Sequence, residues 1–489
     1  MATDSVAADL TAGGPVPTAV RGVGFRSDRG PILIALMLSM SLVALDSTII
    51  ATAVPSVVAS LGGFSSFPWL FSVYLLAQAV SVPIYGRCSD LFGRKPIMLL
   101  GIGLFLLGSI LCGVAWSMPV LIVFRAVQGF GAGAVQPMSM TIVGDIYSLA
   151  ERARVQGYLA SVWAVSAVVG PTLGGVFSEW VSWRWIFFVN IPLCLLAGWL
   201  LVRNYREKVE RRPHRIDYLG AVLLTVGCTL LILGLLEGDE AWAWNSAPSI
   251  TVLVLGPLLL IGFVVVETRA AEPILPLWVL RRRLLAACNG TAFLIGAVLL
   301  GLTSYVPTYV QTALGSGPLL AGFALATLTV GWPLAVSVAG RIYLRIGFRN
   351  TALIGALLVI VGVGFTVTLN GTSAVWQVGL FCFIVGLGLG LVTSPTLIAA
   401  QSSVGWADRG VVTGTNLFAR NVGSAVGVAL FGAIANATLA GSDHPSAAVM
   451  TTAAQHVFLT GAVLALLLLA SIALMPRRQL MADASVTAA

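Results

Sequence analysis

The chain has 489 residues, of which 58% are hydrophobic and only 9% are charged. A soluble domain carries about a quarter charged residues, so this composition excludes a water-soluble protein. The net charge of +8 would suggest a nucleic-acid partner in a soluble chain, but these basic residues are spread over many short segments without a binding motif. The sequence therefore predicts a multi-pass membrane protein, with the lipid bilayer and not nucleic acid as its partner.

Fourteen apolar stretches are predicted to be membrane-spanning helices, because each holds about 18 or more mostly apolar residues. In chain order the predicted helices cover residues 31–54, 69–86, 96–115, 119–142, 156–178, 185–202, 218–236, 249–267, 285–310, 319–341, 351–369, 376–398, 411–436 and 456–475. The first 30 residues are polar and basic, and the first apolar stretch is too long to be a cleaved signal. The expected fold is an all-α membrane protein with 14 transmembrane helices.

The basic residues predict how these helices are oriented. All but three of the 27 Lys and Arg lie near a chain end or in every second gap between apolar stretches. Positive charge collects on the cytoplasmic side, so both termini are expected to be cytoplasmic and the protein to lie in the plasma (inner) membrane. The acidic residues Glu237, Asp239, Glu240 and Asp443 are expected on the outer side. The three exceptions are Arg125, Arg184 and Arg420, of which Arg184 lies in an outer loop.

Asp46 is the only acidic residue well inside an apolar stretch. An ionised carboxylate there costs several kcal/mol unless it is paired or protonated. Counting 1.5 Å per residue from the outer helix ends, Asp46 in helix 1 and Arg125 in helix 4 lie at similar depths. A carboxyl group under the influence of both burial and a cation can load and release a proton, so we predict proton coupling at this pair. A static ion pair that holds two helices together is the alternative.

Helices 4 and 5 carry further polar and small residues. Gln128 and Gln136 share the Arg125 face of helix 4 at helical spacing, and this stripe is expected to face a cavity. In helix 5, glycines 170, 174 and 175 would let a neighbouring backbone approach closely, while Pro171 would bend the helix. An ordinary tight helix crossing would use the same residues.

A weak internal repeat indicates two tandem halves. GRCSDLFGRK at 86–95, after helix 2, recurs as GRIYLRIGFR at 340–349, after helix 10. Tandem halves with a substrate site between them are common in secondary transporters. Leu344 stands where the first copy has Asp90, so the halves are not equivalent. Asp90 and Arg94 are expected in the inner loop between helices 2 and 3, near the amino end of helix 13, whose dipole would stabilise a carboxylate; a solvated turn is the alternative.

Arg420 lies about ten residues into helix 13, near the middle of the membrane, where a charge is a candidate functional residue. Asn416 precedes it by one turn on the same face. Aromatic residues of other helices could form apolar walls, although packing is the commoner role of single aromatics. Helix 13 offers no carboxylate to balance Arg420, so the cavity would carry a net positive charge. We therefore expect it to exclude strongly dicationic compounds.

The chain resembles the fourteen-helix drug:proton antiporters of the major facilitator superfamily. The resemblance covers nearly the whole chain and rests on six strings in order: LDSTIIATAVP at 45–55, GRCSDLFGRK at 86–95, FRAVQGFGAG at 124–133, VVGPTLGG at 168–175, WRWIFFVNIP at 183–192 and RGVVTGTNLFARNVGSAVG at 409–427. It implies rocker-switch alternating access between two six-helix bundles in a pseudo-twofold arrangement, with helices 7 and 8 as an inserted pair. The implied segments are tail 1–30, bundle 31–202, loop 203–217, inserted helices 218–267, bundle 268–475 and tail 476–489.

The resemblance also implies roles for individual residues. Proton coupling falls to Asp46 and Arg125. The substrate cavity would be lined by Gln78, Gln128, Gln136, Trp163, Tyr305, Tyr309, Asn416 and Arg420. Gating falls to Gly86, Asp90, Gly93 and Arg94, which would close the inner face, and to the antiporter signature in helix 5 with Gly170, Pro171, Gly174 and Gly175.

The predicted function is proton-coupled export of lipophilic small molecules, as in multidrug efflux, by a functional monomer. The proton is the coupling ion, and no cofactor or metal is expected because the six Cys lie in or beside apolar stretches without paired spacing. An exporter of lipids or cell-envelope amphiphiles stays open, although the short outer loops disfavour it. A membrane-embedded enzyme should show clustered carboxylates or His, whereas His214, His444 and His456 are scattered. Nothing resembles the appended receptor domain of a signalling protein.

Overall fold

A computed structural model describes residues 23–62, 69–207, 217–237, 243, 245–270, 273–439 and 447–477. Several parts of the predicted topology lie outside these ranges: the tail up to residue 22, the basic run at 208–216 with His214, the acidic residues Asp239, Glu240 and Asp443, His444, and the last residues from Arg478.

The described residues form fourteen long helices in the predicted order, which confirms the all-α membrane fold. They are α1 (Gly30–Leu61), α2 (Trp69–Phe92), α3 (Arg94–Gly113), α4 (Met118–Ile146), α5 (Leu149–Trp180), α6 (Trp185–Asn204, interrupted at Val189), α7 (Tyr218–Glu237), α8 (Ala247–Glu267), α9 (Arg283–Thr312), α10 (Pro318–Ile346), α11 (Phe348–Val367), α12 (Val375–Ser402), α13 (Arg409–Leu439) and α14 (Ala447–Ala473). Thirteen are long and apolar enough to cross a membrane, and the apolar part of α7, Tyr218–Gly234, is slightly shorter.

The helices run past several predicted ends. Helix α1 continues through Pro55 to Leu61, and α2 continues to Phe92, so Asp90 belongs to the helix and not to a loop. Only Gly93 separates α2 from α3. Its φ of 100° lies in the left-handed region that favours glycine, and Gly347 separates α10 from α11 in the same way with a φ of 89°. The two copies of the repeat therefore form the same sharp helix-to-helix turn.

Each half of the chain has its own packing. In the first half α4 lies between α2 and α3, while α1 packs along α5 and α6. In the second half α12 lies between α10 and α11, while α9 packs along α13 and α14. Each half has its own core of buried apolar residues, and Ala153 of α5 joins the core of the second half.

Helices α7 and α8 pack against each other and form a hairpin between the halves. Helix α7 lies over α2 and α13, where Leu224, Cys228 and Ile232 join a buried cluster with Leu76 of α2 and Ala425 of α13. The hairpin thus covers the seam between these two helices.

The two halves meet at the ends of the helices that carry the α2–α3, α4–α5 and α12–α13 connections, here called the basic face. Helix α2 crosses α13 there, and α5 crosses α10, where a Cβ at Gly157 would lie 3.4 Å from the Cβ of Ser337. Farther from the basic face α5 and α10 diverge. Val168, three turns beyond Gly157 on the same side of α5, is 70% exposed, and Val330, two turns from Ser337 on α10, is 48% exposed. This conformation is closed at the basic face.

Candidate functional site

Asp46 and Arg125 form an ion pair inside the first half. Arg125 Nη1 lies 2.7 Å from Asp46 Oδ2, and both residues are only 1% exposed. The pair joins the middle of α1 to α4, as the depths predicted from the sequence require. Removing two charges from water is costly unless further hydrogen bonds satisfy them, so their surroundings decide what the pair can do.

Polar groups of α4 and of two more helices complete these surroundings. Gln128 Nε2 donates to Asp46 Oδ1 and to Ser109 Oγ, both at 2.9 Å, so both carboxylate oxygens of Asp46 accept hydrogen bonds. Ser109 in turn accepts a hydrogen bond from Asn190 Nδ2 of α6 at 3.2 Å. The result is a continuous buried chain of polar side chains from α1 through α4 and α3 to α6.

The guanidinium of Arg125 has contacts besides the carboxylate. Its Nη1 donates to Gln128 Oε1 at 2.7 Å, and its Nε donates to the carbonyl oxygen of Leu70 at 3.1 Å. Its Cζ lies 4.2 Å from the centroid of the Tyr74 ring, in cation–π geometry. Arg125 therefore keeps several favourable contacts when Asp46 is protonated.

Two other predicted polar residues of the cavity bond to each other. Gln78 of α2 donates to Gln136 of α4 at 3.3 Å, and both side chains are buried. Gln128 is also buried, against Asp46 and not against an open space. Their predicted contacts with a substrate stay predictions.

The glycines of α5 lie at its crossing with α1. A Cβ at Gly170 or Gly174 would collide with the hydroxyl of Thr48 or Thr52, respectively, and Thr48 Oγ1 donates to the carbonyl oxygen of Ser166 at 3.0 Å. Gly175 instead faces open space, and Pro171 is exposed. The string thus combines a tight crossing with an exposed face at the end of α5 where the halves diverge.

Asp90 joins the two halves at the basic face. Its Oδ1 accepts a hydrogen bond from the backbone N of Gly410 at 2.8 Å, and its Oδ2 accepts one from the backbone N of Val411 at 2.7 Å. These are the first free N–H groups of α13, so the carboxylate caps that helix and meets the positive end of its dipole. A Cβ at Gly86, one turn earlier, would lie 2.7 Å from the carbonyl oxygen of Gly410, which shows how closely the two backbones approach.

Arg94 organises the charges around Asp90. Its Nη2 lies 2.8 Å from Asp90 Oδ1 and donates to the carbonyl oxygen of Trp406 at 2.5 Å, while its Nε lies 3.0 Å from Asp145 Oδ2. Asp145 Oδ1 also lies 2.9 Å from Arg409 Nη1, from the other half. The Asp145–Arg409 ion pair, the Arg94–Trp406 hydrogen bond and the cap of α13 by Asp90 therefore hold the basic face closed.

A second acidic residue caps the helix that begins with Arg94. Glu207, after α6, accepts hydrogen bonds from the backbone N of Arg94 at 2.9 Å and of Lys95 at 3.0 Å. Lys95 Nζ donates to the carbonyl oxygens of Val202 and Tyr205. The end of α6 is thereby tied to the start of α3.

The residues Asp145, Arg409, Glu207 and Trp406 were not among the predicted gating residues. Arg409 and Glu207 belong to basic segments, where their individual partners leave no trace in the sequence. Asp145 offered a signal, because it is an acidic residue at the basic end of α4 within reach of the arginines there.

Arg420 lies in the middle of the membrane span Trp406–Ala435. Within the described part of the chain its half-buried guanidinium has no hydrogen-bond or ion-pair partner. Asn416, one turn before it, donates to the carbonyl oxygen of Cys288 at 3.1 Å and to Asn289 Oδ1 at 3.4 Å, both in α9. The structure thus brings Asn416 to the α9–α13 contact and leaves Arg420 without a polar partner among the described residues.

The predicted aromatic residues occupy different places. Tyr309 is 2% exposed, packs on Phe458 and donates its hydroxyl to the carbonyl oxygen of Asn370 at 2.7 Å. Tyr305 is half-buried beside Phe431, and Trp163 packs partly buried on the core of the first half. Of the three, Tyr309 is the one enclosed in the second half.

Comparisons with known proteins agree with this architecture. The sequence profile of the Major Facilitator Superfamily matches residues 36–428. The chain is 35% identical to "Multidrug resistance protein 3" of Bacillus subtilis over 82% of this chain and 79% of that protein, and 31% identical to the "Multidrug transporter protein MdtP" of the same organism over 85% and 76%. It is 32% identical to "Efflux pump dotC" of Dothistroma septosporum over 81% and 70%.

A solved structure shares the fold. The human organic anion transporter MFSD10 (TETRAN) aligns with 91% of this chain and 99% of its own, with a TM-score of 0.64 and 16% sequence identity. The profile match over most of the chain, the long alignments with the relatives and the helix arrangement agree. The chain is a membrane transporter, not an enzyme, and belongs to the Major Facilitator Superfamily.

Proposed function

We propose that this protein is a proton-coupled antiporter that exports lipophilic small molecules by alternating access, with Asp46 as the proton carrier. The observation that carries the proposal is the buried Asp46–Arg125 pair, with both carboxylate oxygens hydrogen-bonded. A buried ion pair is weak evidence for a role in stability alone. The multidrug relatives support a lipophilic substrate.

Protonation of Asp46 would remove its attraction to Arg125 and weaken the bond between α1 and α4. Helix α1 is joined to α5 through Thr48 and Ser166, and α5 meets α10 near Gly157. A small shift of α1 would therefore reach a crossing between the halves. This gives the proton a route to the conformational equilibrium, which it can shift only by its different affinity for the two conformations.

The proposal also covers the membrane, the oligomeric state, the orientation and the domain division of the protein. We place the protein in the plasma membrane as a functional monomer, with the basic face and both termini in the cytoplasm. We divide it into bundles 31–202 and 268–475 with the inserted helices 218–267 between them. The conformation described here would then be closed toward the cytoplasm.

The test uses purified protein in liposomes with an imposed proton gradient and a panel of cationic, neutral and anionic lipophilic dyes. We expect gradient-driven transport by the wild type and none by Asp46→Asn, because the amide keeps the size but cannot carry the proton. Arg125 retains Leu70, Gln128 and Tyr74 as partners, so membrane insertion should persist.

Asp28→Asn serves as the control, because it removes an exposed carboxylate far from the pair. It should transport like the wild type. Normal gradient-driven transport by Asp46→Asn would show that the proton binds elsewhere.

A further inference from the structure

Arg420 is a mid-membrane cation that the described residues do not neutralise. The other deep arginine, Arg125, is neutralised by Asp46 at 2.7 Å. Both oxygens of Asp46 are already engaged, so this carboxylate is not free to serve Arg420 as well. Among the described residues, the positive charge of Arg420 in the middle of α13 therefore has no negative charge beside it. An unpaired charge inside a membrane is costly.

The position of Arg420 on α13 indicates where its side chain points. Helix α13 packs on α2 along Gly410 and Gly414, and on α9 along Gly423 and Gly427. At 100° per residue, Arg420 lies between these two contact lines. That side of α13 faces the space between the halves, which agrees with its half-buried state.

A second unused donor lies on the neighbouring helix. Asn289 of α9 is 7% exposed and accepts a hydrogen bond from Asn416, but its own Nδ2 has no acceptor among the described residues. Asn416 lies one turn before Arg420, so both donors belong to the same α9–α13 contact region. Buried hydrogen-bond donors in native proteins normally have an acceptor, so the unpaired Nδ2 of Asn289 requires an explanation.

We propose that Arg420, assisted by Asn289, binds the anionic group of the substrate, and that the substrates include lipophilic molecules with one carboxylate, sulfonate or phosphate. A guanidinium matches the planar, bidentate geometry of such groups. The low dielectric around the site strengthens attraction to an anion and repulsion of a cation. This inference rests on the proposed export function for its biological meaning, but the binding site itself does not require proton coupling.

The test is equilibrium binding to the full chain in lipid nanodiscs without a proton gradient. The probes are 8-anilinonaphthalene-1-sulfonate and N-phenyl-1-naphthylamine, which share one aromatic skeleton and differ by the sulfonate. Charge-assisted hydrogen bonds are worth about 1.5–3 kcal/mol, so Arg420→Gln should weaken saturable sulfonate binding by about tenfold or more. Binding of the neutral probe should change by less than about threefold on the same scale.

Two variants separate charge from packing. Arg420→Lys keeps the charge and should retain most of the preference for the sulfonate. Arg154→Gln removes an exposed cation at the basic face and should change neither affinity. Unchanged sulfonate binding in Arg420→Gln, or an equal loss for both probes, would overturn the proposal.

A measurement on the wild type covers the case in which Arg420→Gln does not fold. Decanoate should displace the bound sulfonate probe, and decylamine should not; equal displacement by both would reject an anion site. Normal gradient-driven transport by Asp46→Asn, or none by the wild type, would contradict the proposed proton coupling and would leave these binding results unaffected.

Discussion

At the scale of single residues, the two deep arginines differ in their surroundings. Arg125 contacts a carboxylate, an amide oxygen, a backbone carbonyl and an aromatic ring. Arg420 lacks a hydrogen-bond or ion-pair partner among the described residues. The first can hold in place the carboxylate that we propose as the proton carrier, whereas the second has its donors available for the proposed ligand.

Asp90→Asn should lower turnover more than substrate affinity. The amide offers one acceptor oxygen where the carboxylate offers two, and it loses the ion pair with Arg94, so the closed basic face should lose about 1–3 kcal/mol. This corresponds to a shift of about 5- to 150-fold in the conformational equilibrium. Initial transport rates and equilibrium binding of a dye, measured on the same protein, separate the two effects.

Asp408→Asn is the matched control. Asp408 lies just before α13, beside the same cluster of charges, but the carboxylate that caps α13 belongs to Asp90. It should change turnover by less than about twofold, since partly exposed charges contribute about 0–1 kcal/mol. A collapse of dye affinity with normal turnover in Asp90→Asn would assign Asp90 to the binding site.

The sequence was sufficient to predict the Asp46–Arg125 contact, because both the rarity of buried charge and the depth of each residue can be counted along the chain. Gln128 shows the limit. Helical spacing put it on the Arg125 face of α4, but spacing along one helix cannot reveal whether that face meets an open cavity or the carboxylate of another helix. The links to Ser109 and Asn190 likewise depend on how α3 and α6 pack.

At the scale of helices, the crossing of α2 and α13 depends on the absence of side chains. Gly86→Ala would place a Cβ 2.7 Å from the backbone oxygen of Gly410, which cannot rotate away. Overpacking of this kind costs about 1–3 kcal/mol, so the substitution should shift the protein toward conformations open at the basic face. A cysteine introduced in place of Ser89, a fully buried α2 residue beside Gly410, should be labelled faster by a membrane-impermeant maleimide added at that face, in a parent protein whose native Cys88 is replaced by serine.

The control for this prediction is Gly103→Ala in α3, where an added Cβ meets nothing within 4 Å. Alanine favours the helix by about 1 kcal/mol over glycine, so thermal stability should be equal or higher and the labelling rate unchanged. Equal labelling rates for Gly86→Ala and the parent protein would mean that the α2–α13 crossing accommodates the added methyl group without opening the basic face.

The helices themselves were largely predictable, since a membrane span is set by the length of its apolar run. Their basic ends were not. Asp90 reads as a loop residue by polarity, yet it lies inside α2, because its charge is satisfied by α13 and by Arg94. Polarity alone cannot show that a polar helix end has found partners on another helix.

At the scale of the whole molecule, the proposed alternating access requires the halves to separate at the basic face. The pair Gly157→Cys and Ser337→Cys should form a disulfide, because the Cβ positions lie 3.4 Å apart, close to the about 3.5–4.5 Å typical of disulfides. Oxidation should stop transport, and a reducing agent should restore it. Each single-cysteine variant should transport equally well with and without oxidant.

The parent protein for that experiment has six native cysteines, of which all but Cys88 are buried. Mass spectrometry should confirm which cysteines have paired. Full transport with the 157–337 disulfide intact would show that α5 and α10 stay together throughout the cycle and that the halves move about another axis.

The internal repeat predicted two related halves, and Leu344 predicted that they are unequal. The structure shows which residues cap α5 in place of the missing carboxylate. Leu344 cannot cap α5 as Asp90 caps α13, and α5 instead begins with its own capping residues Ser148 and Glu151, with Arg29 at 2.5 Å from Glu151. A sequence repeat cannot reveal such a substitution of partners, because the replacement residues come from outside the repeat.

The hairpin of α7 and α8 adds an even number of membrane crossings between the halves. An insertion of two membrane crossings returns the chain to the side from which it left, so α9–α14 keep the direction they would have had without it. An odd number of inserted helices would turn the second half over and carry Gly410 to the opposite side of the membrane from Asp90. A pair is therefore the smallest insertion that a transporter built from two parallel halves can accept at this junction.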